Sequence, residues 1–216
     1  MIRIGLPAGL QTAIFSVGFL LQQNLINSFG PVLIAAYTIV TRVDQFVMMP
    51  MNSFAIAITT FVGQNIGAHK LRRTEDGIMQ SLILSQATTI VLVILLFTFG
   101  DNVMALFTTD LEVVSSGLTI LRTLSIGYIL VNTYVVLSGA VRGAGESLAP
   151  LMVSFICNVI LRVSAAYLLV RLTGNSRMIF VCIASAWTLS SIFTVVYYKK
   201  VFWPRKFSAI HRDELA

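Results

Sequence analysis

The chain reads as an all-α, polytopic membrane protein built as a bundle of six transmembrane helices. Composition carries most of that reading: 56% of the 216 residues are hydrophobic, 11% are charged and the mean hydropathy is +0.86, outside the range of soluble globular domains. Spacing adds to it, because apolar runs recur that each reach the roughly 20 residues a helix needs to cross about 30 Å of hydrocarbon. Charge completes it, since basic residues gather in alternate loops, as expected when one side of the membrane is cytoplasmic.

The first run, 4–25, follows Met1, Ile2 and Arg3 and is interrupted by Gln11, Gln22 and Gln23. Its length and polar content mark a retained span rather than a signal peptide. The later runs are 35–61, 78–99, 113–137, 148–170 and 178–198. Together they predict a transmembrane unit over 1–203 followed by a basic cytoplasmic tail over 204–216. Lys70, Arg72 and Arg73 follow the second run, Arg142 the fourth, and Lys199, Lys200, Arg205, Lys206 and Arg212 the sixth. The opposite loops have no charge over 26–34 and only Asp101, Asp110 and Glu112 over 100–112; Arg171 and Arg177 alone run against the pattern. The expected arrangement is therefore a multi-pass protein of the plasma membrane with both termini cytoplasmic.

Several function classes drop out. The net charge of +6 sits in loops and tail, which argues against a nucleic-acid partner and for contact with membrane lipid. Cys157 and Cys182 lie within spans and read as small apolar fillers; His69 and His211 are loop residues without nearby ligands, so no metal site is expected. No nucleophile–base constellation and no glycine-rich phosphate loop stands out, so the chain reads as no enzyme and needs no cofactor.

Polar residues inside the spans carry the functional signal. At 100° per residue, Thr12, Ser16, Gln23 and Asn27 of the first span fall within about 60° of arc. Thr41, Asp44, Gln45, Met48, Asn52 and Thr59 of the second fall within about 100°. Ser154, Asn158 and Arg162 of the fifth occur at i, i+4, i+8. Interhelical hydrogen bonding accounts for any one of them, whereas continuous stripes on several spans suggest a bundle around a hydrated cavity.

Asp44 is the only acid in the interior of any span. Arg42 lies about 160° from it around the helix, so the two need different partners. Arg122 and Arg162 are expected at a similar depth, roughly 10 to 15 Å below the outer surface. A charge in this layer costs about 3 kcal/mol on insertion scales, so these groups should face one another or water. Either Asp44 neutralises an arginine and locks the bundle, or it binds a coupling cation or cationic substrate whose affinity the arginines tune. Pro50 removes a helical hydrogen bond and predicts a kink or weak point; Met48, on the stripe beside it, is a flexible apolar contact.

Three motifs then converge: "GLPAGLQ" (5–11), "TFVGQNIGAHK" (60–70) and "LSGAVRGAGESLAP" (137–150), with "AAYTIVTRVDQF" (35–46) between the first two. Gly63 and Gly67, like Gly139 and Gly143, have the spacing that lets helices approach closely. Gly143 and Gly145 permit a tight turn, after which Ser147 is placed to cap a helix whose first turn tolerates Pro150. Over nearly its whole length the chain resembles the second six-helix half of the multidrug and toxic compound extrusion (MATE) family.

That resemblance implies one half of a twelve-helix transporter, whose two halves share an orientation and face each other across a central cavity. It also implies export of organic cations or amphipathic drugs in exchange for H+ or Na+, with either a first half or a second copy as partner. The family's best-known coupling carboxylate belongs to the half not represented here. Some branches also carry acids in the helices matching the first and fourth spans; here the first has none in its interior and the fourth only Glu112 at its edge. Two other readings stand beside this one. The arginines would suit a lipid-linked oligosaccharide flippase of the same superfamily, and a truncated half-chain would not transport.

Overall fold

The computed structural model describes residues 16–204, and among these it is helical throughout, without a strand. Helix α1 covers 16–27; the rest of the first expected span, 4–15, and the tail beyond Pro204 lie outside the described residues. After it come α2 (Pro31–Gly67), α3 (Leu71–Ala105), α4 (Leu111–Gly143), α5 (Leu148–Thr173) and α6 (Arg177–Phe202). These five are long and apolar enough to cross a membrane. At 37 residues α2 is about 55 Å long, well beyond the hydrocarbon thickness.

The boundaries obey local chemistry. Gly30, at φ 94°, turns the chain into α2, and Pro31 occupies the first turn, where its missing N–H is no loss. Asp110 caps α4, accepting from the Glu112 amide at 2.9 Å. Gly174 ends α5 in the left-handed conformation, and Gly145, at φ 88°, makes the α4–α5 turn. Ser147 precedes α5 as expected, but its helical backbone (φ −94°, ψ −21°) keeps the hydroxyl from any capping bond. Pro50 does not break α2, which continues to Gly67; the expected weak point is absorbed within an uninterrupted helix.

α4 is the central element, packed against α2, α3 and α6. Two-thirds of its most apolar stretch is buried, 67% against 17% for α3 and 22% for α5. One core cluster, including Val47, Met51, Leu124, Tyr128 and Phe180, fills the end of the bundle that carries the α1–α2 and α3–α4 turns. A smaller one around Ile58, Val62, Ile78 and Ala140 fills the other end.

Between α2 and α4 the glycines act as their spacing predicts. A Cβ on Gly139 would lie 2.6 Å from the Ala55 carbonyl oxygen, and one on Gly143 would strike the Thr59 carbonyl. The backbones approach closely enough for Thr59 to donate to the Gly139 carbonyl at 2.9 Å. Gly63 shares the crossing, whereas Gly67 faces open space.

α5 departs from expectation. Phe155–Leu161 is a π-helical segment, whose i→i+5 bonding inserts one residue into the turn and rotates the remainder of the helix by about 100°. The stripe of Ser154, Asn158 and Arg162 is thereby divided between two neighbours: Asn158 donates to Ser190 of α6 at 3.2 Å, and Arg162 reaches α1.

Candidate functional site

A cavity of about 450 Å3 opens among α1, α2, α5 and α6. Helix α2 contributes most of its wall through Tyr37, Thr38, Thr41, Arg42, Asp44 and Gln45, which spread over about 160° of its circumference with Asp44 and Arg42 at the two edges. Phe19 and Gln22 come from α1, Arg162 from α5, and Ile183 and Trp187 from α6. Of the residues singled out in the sequence, Thr41, Arg42, Asp44, Gln45 and Arg162 meet here.

A chain of hydrogen bonds fixes the polar groups. Arg162 donates to the Gln22 side-chain oxygen, and the Gln22 amide donates to the Tyr37 hydroxyl at 3.3 Å. The Nε of Arg162 is buried without a partner. Asp44 accepts from the Tyr128 hydroxyl of α4, so the carboxylate's partner is a phenol and not an arginine. The sequence left open whether Asp44 neutralises an arginine; its hydrogen bond goes to Tyr128, while Arg42 and Arg162 line the same cavity. Tyr128 in turn packs on Trp187, with ring centroids 5.6 Å apart, and Gly127 leaves room for that indole. Tyr37 packs on Phe180 at 6.0 Å. Aromatic packing on α6 thus supports the Tyr128 hydroxyl against Asp44 of α2 and the Tyr37 ring whose hydroxyl meets Gln22 of α1.

Other expected residues lie elsewhere. Gln23 donates to Asn27 at 2.9 Å along the exposed side of α1, because the cavity-facing glutamine is its neighbour Gln22. Met48 packs against the apolar core, and Asn52 is exposed away from the cavity. Asn158 is buried against α6. Arg122 is exposed and does not line the cavity, since it lies about 120° around α4 from Tyr128. The expected layer of four charges is therefore three around one cavity, with Arg122 on another face.

The residues that sequence reasoning missed are Gln22, Tyr37, Tyr128 and Trp187. Their signal was position: amphipathic aromatics belong at the membrane interfaces, and Tyr128 stands near the midpoint of α4. A second polar cluster joins α3 to α4, where Asn132 donates to Ser85 at 3.1 Å and to Gln86, and Gln86 donates to the Ile129 carbonyl at 2.7 Å. These bonds join adjacent helices and read as interhelical glue, although the Asn132 side-chain oxygen stays without a partner.

The MatE family model matches residues 7–168. The chain is 27% identical over 207 residues to the probable multidrug resistance protein YoeA of Bacillus subtilis (strain 168), covering 95% of this chain and 44% of that protein. It is 26% identical over 171 residues to the probable multidrug resistance protein NorM of Thermotoga maritima, covering 79% of this chain and 37% of that one. A crystal structure of MATE in the bent conformation superposes with a TM-score of 0.87 at 20% identity, covering 100% of this chain and 47% of that chain. The chain thus spans about half the length of the curated relatives it matches.

Proposed function

We propose, since this chain belongs to the MatE family, that it forms one six-helix half of a carrier exporting organic cations or amphipathic drugs by cation-coupled antiport. H+ or Na+ is the coupling ion, the plasma membrane the location, and the cytoplasm the side of both termini. The observation that carries this reading is the cavity with Asp44 on its wall: a carboxylate deep in a membrane-crossing helix, engaged by one phenol and flanked by Gln45 and Thr41. An intramembrane acid beside a polar cavity is placed to exchange a cation or a cationic substrate for another. No covalent step is needed; the chemistry is binding and alternating access.

Asp44→Asn tests this. In a transport-competent assembly the substitution should abolish ethidium efflux from proteoliposomes while leaving the protein inserted and folded. Normal efflux at normal expression would remove Asp44 from the mechanism. Arg42 and Arg162 favour a second reading, a flippase for lipid-linked oligosaccharides. Accumulation of lipid-linked sugars in a deletion strain, without drug sensitivity, would select it.

A further inference from the structure

The cavity lined by Asp44 holds more positive than negative charge. Arg42 and Arg162 line it against a single acid, Asp44, among the described residues. Asp44 is bonded to Tyr128, and the hydrogen bond that Arg162 makes goes to the neutral amide oxygen of Gln22. Neither interaction cancels the guanidinium charge. Arg162 also keeps a buried Nε–H with no acceptor, which is costly for a charged donor in a low-dielectric setting. Arg42 is exposed along the same wall.

Guanidinium groups suit oxyanions because they present several N–H donors in a planar fork that matches a carboxylate or phosphate. Phe19, Ile183 and Trp187 supply apolar and aromatic surface in the same cavity, which suits the body of an amphiphile. We propose that the cavity contains an anion subsite, formed by Arg42 and Arg162, that takes the carboxylate or phosphate of a zwitterionic or anionic amphiphile. Asp44 is left for the cationic part of a zwitterion or for the coupling ion. A zwitterion meets both signs of charge on this wall, whereas a purely cationic amphiphile engages Asp44 and leaves the arginine pair unoccupied. The inference rests on this cavity being the substrate site.

Equilibrium binding tests it without requiring transport. Trp187 lines the cavity and Trp203 is the only other tryptophan, so a Trp203→Phe background leaves one reporter on the site. In phosphatidylcholine nanodiscs, energy transfer from Trp187 to dansyl-labelled alkyl probes of equal length would be titrated. The head groups are a carboxylate, its methyl ester, a phosphate and a trimethylammonium. The oxyanions should bind on the order of tenfold or more tightly than the ester, the scale of a hydrogen bond to a charged group. Arg162→Gln should bring them to the level of the ester, Arg162→Lys should keep part of the preference, and Arg42→Gln should weaken them severalfold.

An ester or ammonium probe that binds as tightly as the oxyanions would overturn the proposal, as would oxyanion affinity unchanged by both glutamine substitutions. Should Arg162→Gln fail to fold, the probe comparison on the unsubstituted cavity and the Arg42→Gln variant still decide. A carboxylate bound more tightly than a phosphate identifies a drug-like source; the reverse identifies a phospholipid-like headgroup, and phosphatidylglycerol nanodiscs would then suppress probe binding. Loss of efflux in Asp44→Asn leaves these affinities untouched, whereas loss of the oxyanion preference leaves the transporter reading standing.

Discussion

The bond from Tyr128 to Asp44 ties the centre of α4 to the cavity wall, and it was the less legible half of the site. A carboxylate within an apolar run is conspicuous in a sequence, so Asp44 could be singled out directly. A tyrosine in such a run looks like one more amphipathic aromatic, and only packing shows that its ring lies on Trp187 with its hydroxyl on the acid. The distinction can be measured. Tyr128→Phe keeps the ring stack and removes the donor, so it should destabilise the protein by about 1–3 kcal/mol, the cost of leaving a buried polar group short of a partner. Tyr128→Leu also loses the aromatic pair and should cost more. Denaturant unfolding of reconstituted protein would rank the two variants; an unchanged stability in Tyr128→Phe would show that the hydroxyl contributes nothing, and equal costs that the ring pair contributes nothing beyond it.

Among the helices, legibility divided according to whether a motif depends on backbone approach or on periodicity. The glycine pairs were readable because a missing Cβ has one main use where helices cross, and Gly63, Gly139 and Gly143 do lie at the α2–α4 crossing. Gly67 has the same spacing and no neighbour, because it is the last residue of α2. The α5 stripe was less readable: its spacing assumed an unbroken α-helix, and nothing in the hydrophobic pattern announces that Phe155–Leu161 widens to π geometry. Gly139→Ala and Gly67→Ala separate the two kinds of glycine. The first places a Cβ 2.6 Å from a backbone oxygen and should cost about 1–3 kcal/mol as the helices are forced apart. The second meets nothing and should be neutral or stabilising by up to about 1 kcal/mol through helix propensity. Thermal unfolding of the two variants in one detergent would check this, and equal losses would show that the crossing does not depend on close approach.

At the scale of the whole molecule, the membrane-crossing helices leave polar groups uncovered that a bilayer would penalise. Arg42, Gln45 and Asn52 are exposed on α2, the first two on the cavity wall and the third beyond it, and Asn27 is exposed on α1. Lipid satisfies none of them, so a bundle of this kind alone in a bilayer is unfavourable. In a carrier with two parallel halves, the second half covers such a face and closes the cavity between them. Halves related by an axis along the membrane normal can be supplied by a separate first half or by a second copy, since a homodimer has the same two-fold symmetry. The chain alone as a monomer should therefore not transport, while a homodimer or a pairing with a first half should. Subunit counting in nanodiscs, alongside ethidium efflux from proteoliposomes made with the same protein, tests this. Robust efflux from protein shown to be monomeric would mean that these helices enclose a complete pathway, and the exposed face of α2 would then have to be lined by water within a single subunit.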